Sequence, residues 1–160
     1  MLDVKRDILP LKDIMYRLAL RITLSSQEAE DVVQDVIIKM WNTRDHLDTV
    51  DNLEAYALRM TRNLALDRQR MRVNQSESLD AIKEQPLADD TRGEQQEQVE
   101  SVRTAMRQLP EKQRSVMQLR DFEGYSYKEI AEMLSITEDQ VKVNLFRARQ
   151  FIKAKLTPFN

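Results

Sequence analysis

From about residue 74 to residue 97 the helical periodicity that marks the rest of this chain fades. The stretch NQSESLDAIKEQPLADDTRGEQQEQ is polar and acidic and holds Pro86 and Gly93. A structureless run of that length is uncommon inside one compact domain, so it reads as a flexible linker. That division constrains the fold more than anything else in the sequence. With 160 residues, each side has room for only one small unit. The expectation is all-α: a helical domain over 1–74, an acidic linker over 75–97 and a second helical domain over 98–160.

Both sides read as helix. Leu11, Ile14, Met15, Leu18 and Ile22 recur at helical spacing behind Pro10, which suits a first turn. Ser25 and Glu28 have capping-box spacing ahead of Ala29, Val32, Val33, Val36, Ile37 and Met40. Asp51 and Glu54 offer another cap before a stripe of Leu53, Ala57, Met60, Leu64 and Met71. Beyond the linker, Val99, Val102, Met106 and Leu109 suit one helix, stopped by Pro110. Residues 111–122 suit another, ended near Gly124. Two capping boxes follow, Ser126 with Glu129 and Thr137 with Gln140. They start a pair of helices separated by the turn at Ser135.

That last pair has the spacing of a helix-turn-helix. Ala131 lies four residues before Ser135, at the closest approach of the two helices, and Val141 lies six residues after it, where it plugs the core. Glycine is the usual residue at such a turn, and Ser135 accepts some strain there. At ~100° per residue the final helix has a core stripe of Val141, Leu145, Ala148, Ile152 and Leu156. Its other face carries Lys142, Val143, Phe146, Arg147, Arg149 and Lys153. Cations there can reach phosphate or guanine, and Phe146 or Val143 can touch a thymine methyl, so the face suits a DNA major groove. A solvated face beside another helix is the alternative.

Charge is strongly segregated although the formal net charge is only −2. Residues 25–54 hold eight acids against Lys39 and Arg44, and residues 55–73 hold five arginines against Asp67. Residues 75–100 again hold eight acids, against Lys83 and Arg92, and residues 140–160 hold five bases and no acid. Local clustering, not net charge, governs nucleic-acid binding. The 53–72 helix turns Tyr56, Arg59, Arg62, Asn63, Leu66 and Arg70 away from its stripe, a set able to track phosphates and stack on unpaired bases. An ordinary solvated basic helix fits the same residues. On the acidic helix, Asp31, Gln34 and Asp35 cluster around Ile38, with Trp41 at the margin. An apolar residue within acids suggests a protein partner with a basic surface, although a single exposed Ile is unremarkable.

Composition closes off other chemistries. Two glycines cannot build a phosphate-binding loop. No cysteine means no disulfide, thiolate metal site or Cys nucleophile. His46 is the only histidine, which leaves no multi-histidine metal site, and no spacing suggests a catalytic triad or carboxylate cage. The eight methionines read as packing residues. No apolar run approaches the ~20 residues of a membrane span, and the charged opening MLDVKRDILPLKDI lacks a signal core. A cytoplasmic protein that is not an enzyme, has no cofactor or metal and inserts in no membrane is expected.

Three ordered motifs carry a family resemblance: AEDVVQDVIIKMW, then NLEAYALRMTRNLALDRQR, then LPEKQRSVMQLRDFEGYSYKEIAEMLSITEDQVKVNLFRARQFIKAKL. Together they resemble the extracytoplasmic-function (ECF) sigma factors of the sigma-70 family of bacterial RNA polymerase. The resemblance spans both helical units. It implies a sigma factor that directs core polymerase to promoters and initiates transcription. Asp31, Gln34, Asp35 and Ile38 would dock on the clamp helices of the polymerase β′ subunit. Arg44, His46, Tyr56, Arg59, Arg62, Asn63 and Arg70 would capture the melted non-template strand of the −10 element. Tyr127, Lys128, Lys142, Val143, Asn144, Phe146, Arg147, Arg149 and Lys153 would read the −35 duplex, with the second unit near the β flap. The acidic linker would thread the polymerase channel toward the RNA exit, and an anti-sigma factor would be a further partner. A stand-alone helix-turn-helix regulator, and a sigma-like decoy that binds a regulator without reading DNA, are the competing readings.

Overall fold

The computed structural model describes residues 2–75 and 94–156, all helix, turn and connection with no strand among them. The chain separates into two compact units. Among the described residues, the first holds those up to residue 75 together with Glu132–Ser135, and the second holds 94–131 and 136–156. Most of the acidic linker, and its expected path through polymerase, lie outside the described residues.

The first unit opens on a π-helical turn, Val4–Ile8, and a 3-10 turn, Leu9–Leu11, with Pro10 at its start. Helix α1 (Lys12–Thr23) follows. Ile8 is fully buried, an anchor outside the expected stripe. Leu24 ends α1 in the left-handed region at φ 57°, with its N–H on the Leu20 carbonyl at 2.9 Å. The chain reverses at once into α2 (Ser26–Asn42). Ser25 caps it as expected, its Oγ accepting from the Glu28 N–H at 3.3 Å. The reciprocal half of the capping box is replaced. The Glu28 carboxylate turns to Arg68, and the Ser25 N–H meets Thr23 Oγ1 at 3.4 Å.

A short helix α3 (Arg44–Leu47) follows and seats Leu47 in the core. Helix α4 (Leu53–Gln75) is capped by Asn52, whose Oδ1 accepts from the Ala55 N–H at 3.0 Å. The cap is thus one residue beyond the expected Asp51. Helix α1 packs on both α2 and α4, and these two pack on each other. Met15, Leu18, Ile22, Ala29, Val32, Val36 and Met40 are buried, as their spacing predicts.

The stripe on α4 needs correction. Its buried residues are Ala55, Ala57, Leu58, Thr61 and Ala65, whereas Leu53, Met60 and Leu64 are half-buried and Met71 is 58% exposed. Close packing of α4 against α1 and α2 favours small side chains on the face that meets them, and the larger apolar residues move to the rim. Thr61 is tolerated there because its hydroxyl donates to the Ala57 carbonyl at 2.7 Å.

In the second unit, α5 (Glu94–Met106) starts inside the segment assigned to the linker, and a turn carries the chain to Pro110. Helix α6 (Glu111–Met117) continues as a π-helical turn, Gln118–Phe122. Buried Arg114 donates to the Arg107 and Leu109 carbonyls at 3.3 and 3.0 Å, closing the turn after α5. Burial pulls its guanidinium below the ordinary arginine value. Gly124 has φ 81°, and α7 (Tyr127–Leu134) and α8 (Glu138–Leu156) follow.

Helix α8 packs on α5 and α6. Its expected core residues Val141, Leu145, Ala148 and Ile152 are buried, but Leu156 is 39% exposed at the end of the helix. Both capping boxes form reciprocally. Ser126 N–H donates to Glu129 Oε1 at 2.9 Å and Glu129 N–H to Ser126 Oγ at 3.1 Å. Thr137 and Gln140 repeat the arrangement at 2.9 and 3.1 Å. Ser135 takes φ 56°, and the next N–H, of Ile136, closes the turn on the Ala131 carbonyl at 3.0 Å.

Candidate nucleic-acid and polymerase interfaces

Because α8 buries every third or fourth residue, the intervening ones must face outward. Lys142, Val143, Phe146, Arg147, Arg149 and Lys153 are all exposed, Phe146 by 63%. The open ring puts an apolar contact surface in the middle of a basic face. A cavity of about 410 Å³ lies beside it, lined in part by Tyr127, Lys142, Phe146 and Lys153. The half-buried Tyr127 ring has the Arg120 guanidinium 4.7 Å from its centroid and the Lys142 ammonium at 5.8 Å. Lys128 is exposed on α7.

Two of the expected base readers are engaged within the unit. The Asn144 amide donates to the Gln140 carbonyl of its own helix at 2.7 Å. Arg149 forks onto Asp121, Nε to Oδ2 at 3.2 Å and Nη2 to Oδ1 at 2.5 Å. That hydrogen bond to Asp121 raises the Arg149 pKa.

On α4, Asn63 and Arg70 are exposed, and Tyr56, Arg59 and Arg62 are half-buried. Arg70 pairs with Asp67 one turn earlier at 2.6 Å. His46 is exposed on α3. Arg44 folds back on α2, its guanidinium 4.0 Å from the Trp41 ring centroid and Nη1 on the Trp41 carbonyl at 2.9 Å. The site residues of α3 and α4 therefore share one unit, but Arg44 and Arg70 already have partners within it.

The acidic face of α2 holds a feature the sequence reading missed. Arg68 reaches from α4 to three carboxylates at once: Asp35 at 2.7 Å, Glu28 at 3.3 Å and Asp31 at 3.5 Å. Hydrogen bonding to Asp35 raises the Arg68 pKa, against the opposing effect of burial. Two of the four residues expected to dock polymerase thus carry an internal counter-ion, while Gln34 and Ile38 are exposed, Ile38 by 55%. Arg68 continues the line of Ala57, Thr61 and Ala65, so the small-residue stripe was the signal that could have revealed it. Arg72, one turn further, donates to the Thr23 carbonyl at the end of α1 at 2.7 Å.

Comparison with known proteins gives this arrangement its class. The family model for sigma-70 region 2 matches residues 9–74, and that for sigma-70 region 4 matches residues 100–152. The ECF RNA polymerase sigma factor SigL of Mycobacterium tuberculosis is 28% identical over 148 residues, covering 89% of this chain and 82% of that protein. The ECF RNA polymerase sigma factor SigW of Bacillus subtilis is 28% identical over 168 residues, covering 96% and 89%. The fold resembles that of the sigma factor RpoE, solved with the anti-sigma factor NepR from Bartonella quintana, with a TM-score of 0.81, 23% identity and 99% of each chain covered. It also resembles CnrH, solved with the cytosolic domain of CnrY, with a TM-score of 0.65, 22% identity and 96% and 84% coverage.

The chain belongs to the sigma-70 family, in its extracytoplasmic-function group. It is accordingly a DNA-binding transcription-initiation factor that works with RNA polymerase. No helix among the described residues is long and apolar enough to cross a membrane.

Proposed function

We propose that this sigma factor reads a two-part promoter, with one unit on each element. The second unit lays α8 in the major groove of the −35 duplex, with Arg147, Phe146 and Val143 on base edges and Lys142, Lys153, Lys128 and Tyr127 toward the backbone. The first unit holds the melted −10 strand against Tyr56, Asn63, Arg59 and Arg62 of α4, with His46 of α3 nearby. Asp31, Gln34, Asp35 and Ile38 of α2 dock on the β′ clamp helices, and the second unit rests near the β flap. The reading includes a cytoplasmic location and control by an anti-sigma factor, the kind of partner named for the RpoE structure.

The observation that carries this reading is Phe146, exposed in a ring of cations on the second helix of a doubly capped helix-turn-helix. The test is co-purification with core polymerase, followed by transcription from a promoter library on paired and pre-melted templates. A Tyr56→Ala/Asn63→Ala variant is expected to assemble and fail on paired templates, yet recover when the −10 region is already mismatched. Equal activity of variant and wild type on paired template would remove strand capture from α4.

A further inference from the structure

The fork between Asp121 and Arg149 lies against the face proposed to read DNA. Asp121 belongs to the π-helical turn after α6, and only a quarter of its side chain is exposed. Arg149 is half exposed and lines the same cavity as Tyr127, Lys142, Phe146 and Lys153. A guanidinium uses the same two parallel N–H donors for a carboxylate as for a phosphate. It cannot serve both with its Nε and Nη2 atoms together.

We propose that Asp121 is an internal competitor for DNA phosphate. In the free chain it occupies the donor fork of Arg149 and sets a negative charge beside the recognition face. A duplex then gains Arg149 only by displacing the carboxylate. A duplex matched by Arg147 and Phe146 has other contacts that compensate for the exchange; one held by phosphates alone does not. Asp121 thereby raises discrimination by weakening non-specific binding. This rests on the α8 reading above and adds a specificity-determining residue to it.

The test uses the full chain and a duplex of random sequence, titrated by fluorescence anisotropy at several NaCl concentrations. Asp121→Asn is expected to bind about three- to tenfold tighter, with the slope of log affinity against log salt steeper by about 1. Asp121→Glu, which keeps the charge, should stay near wild type. Adding Arg149→Gln to Asp121→Asn should remove the gain. A purely structural role for the pair would not give this sign, because loosening the unit weakens binding. Asp121→Ser is the second variant should Asp121→Asn lower the melting temperature. Unchanged or weaker binding by the neutral variants overturns the proposal. If Arg147→Ala/Lys153→Ala also leaves binding unchanged, the α8 reading falls with it; if that variant binds more weakly, only the role of Asp121 falls.

Discussion

Nη2 of Arg68 donates to Oδ2 of Asp35 at 2.7 Å, tying the far part of α4 to the middle of α2. Glu28 and Asp31 flank the same guanidinium. All four side chains remain partly exposed, so the network is worth only about 1 kcal/mol in dilute salt. Arg68→Ala should lower the unfolding free energy measured in urea by about that amount. The difference from wild type should shrink markedly in 1 M NaCl, where the Debye length is about 3 Å.

Packing on α4 makes a second prediction. Ala65 is fully buried on α4, so Ala65→Leu should cost roughly 1–3 kcal/mol by overfilling its site. Met71→Ala, at a position 58% exposed, should change stability by less than about 0.5 kcal/mol. Urea unfolding of the two variants measures both. The reverse order would restore the Met71 stripe expected from hydropathy.

Backbone handedness gives a pair of opposite effects at the two ends of α7. Gly124 has φ 81° and open space where a Cβ would go, so Gly124→Ala should cost about 1 kcal/mol through the backbone alone. Ser135 has φ 56° with a Cβ already present, and Ser135→Gly should gain up to about 1 kcal/mol. Thermal melts of the two single variants decide the signs.

Glu129 sets a pH dependence. Hydrogen bonds from the Ser126 N–H and hydroxyl hold its carboxyl below the ordinary value of 4.5. A depressed folded-state pKa contributes stability that is fully present above 4.5 and is lost as pH falls through the lowered value. Glu129→Gln should therefore be less stable than wild type at neutral pH. The gap should close in acid, below the lowered pKa, as read by circular dichroism melts across pH.

Two bases on α8 should behave differently. Arg147→Ala should cost about 1–3 kcal/mol on a selected −35 duplex and relax its sequence preference if it meets guanine bidentately. Lys153→Ala should weaken all duplexes similarly and reduce the salt slope by about 1. Competition binding on matched and scrambled duplexes separates the two.

What could be read from the chain beforehand follows how local each feature is. The boxes of Ser126 with Glu129 and Thr137 with Gln140 depend on residues three apart, and both form as spaced. The core of α8 from Val141 to Ile152 follows from period alone. Of the expected α4 stripe Ala57 is buried, but Ala55, Thr61 and Ala65 were passed over because they carry little hydropathy, while Met71 carries much. The partnerships of Arg68 and Arg149 depend on which helices become neighbours, and a one-dimensional charge count cannot supply that. Asn52 took the cap from Asp51 because either side chain can accept that bond, and the chain's entry into α4 decided between them.

Along α4, the residues that permit folding and those proposed to meet nucleic acid fall into two nearly disjoint sets. Ala55, Ala57, Thr61 and Ala65 answer for the first; Tyr56, Arg59, Asn63 and Arg70 belong to the second. Substitutions at the exposed members, Asn63 and Arg70, can accumulate with little penalty to the helix bundle. Divergent copies of this unit could therefore acquire new target preferences one change at a time, each intermediate remaining a folded protein.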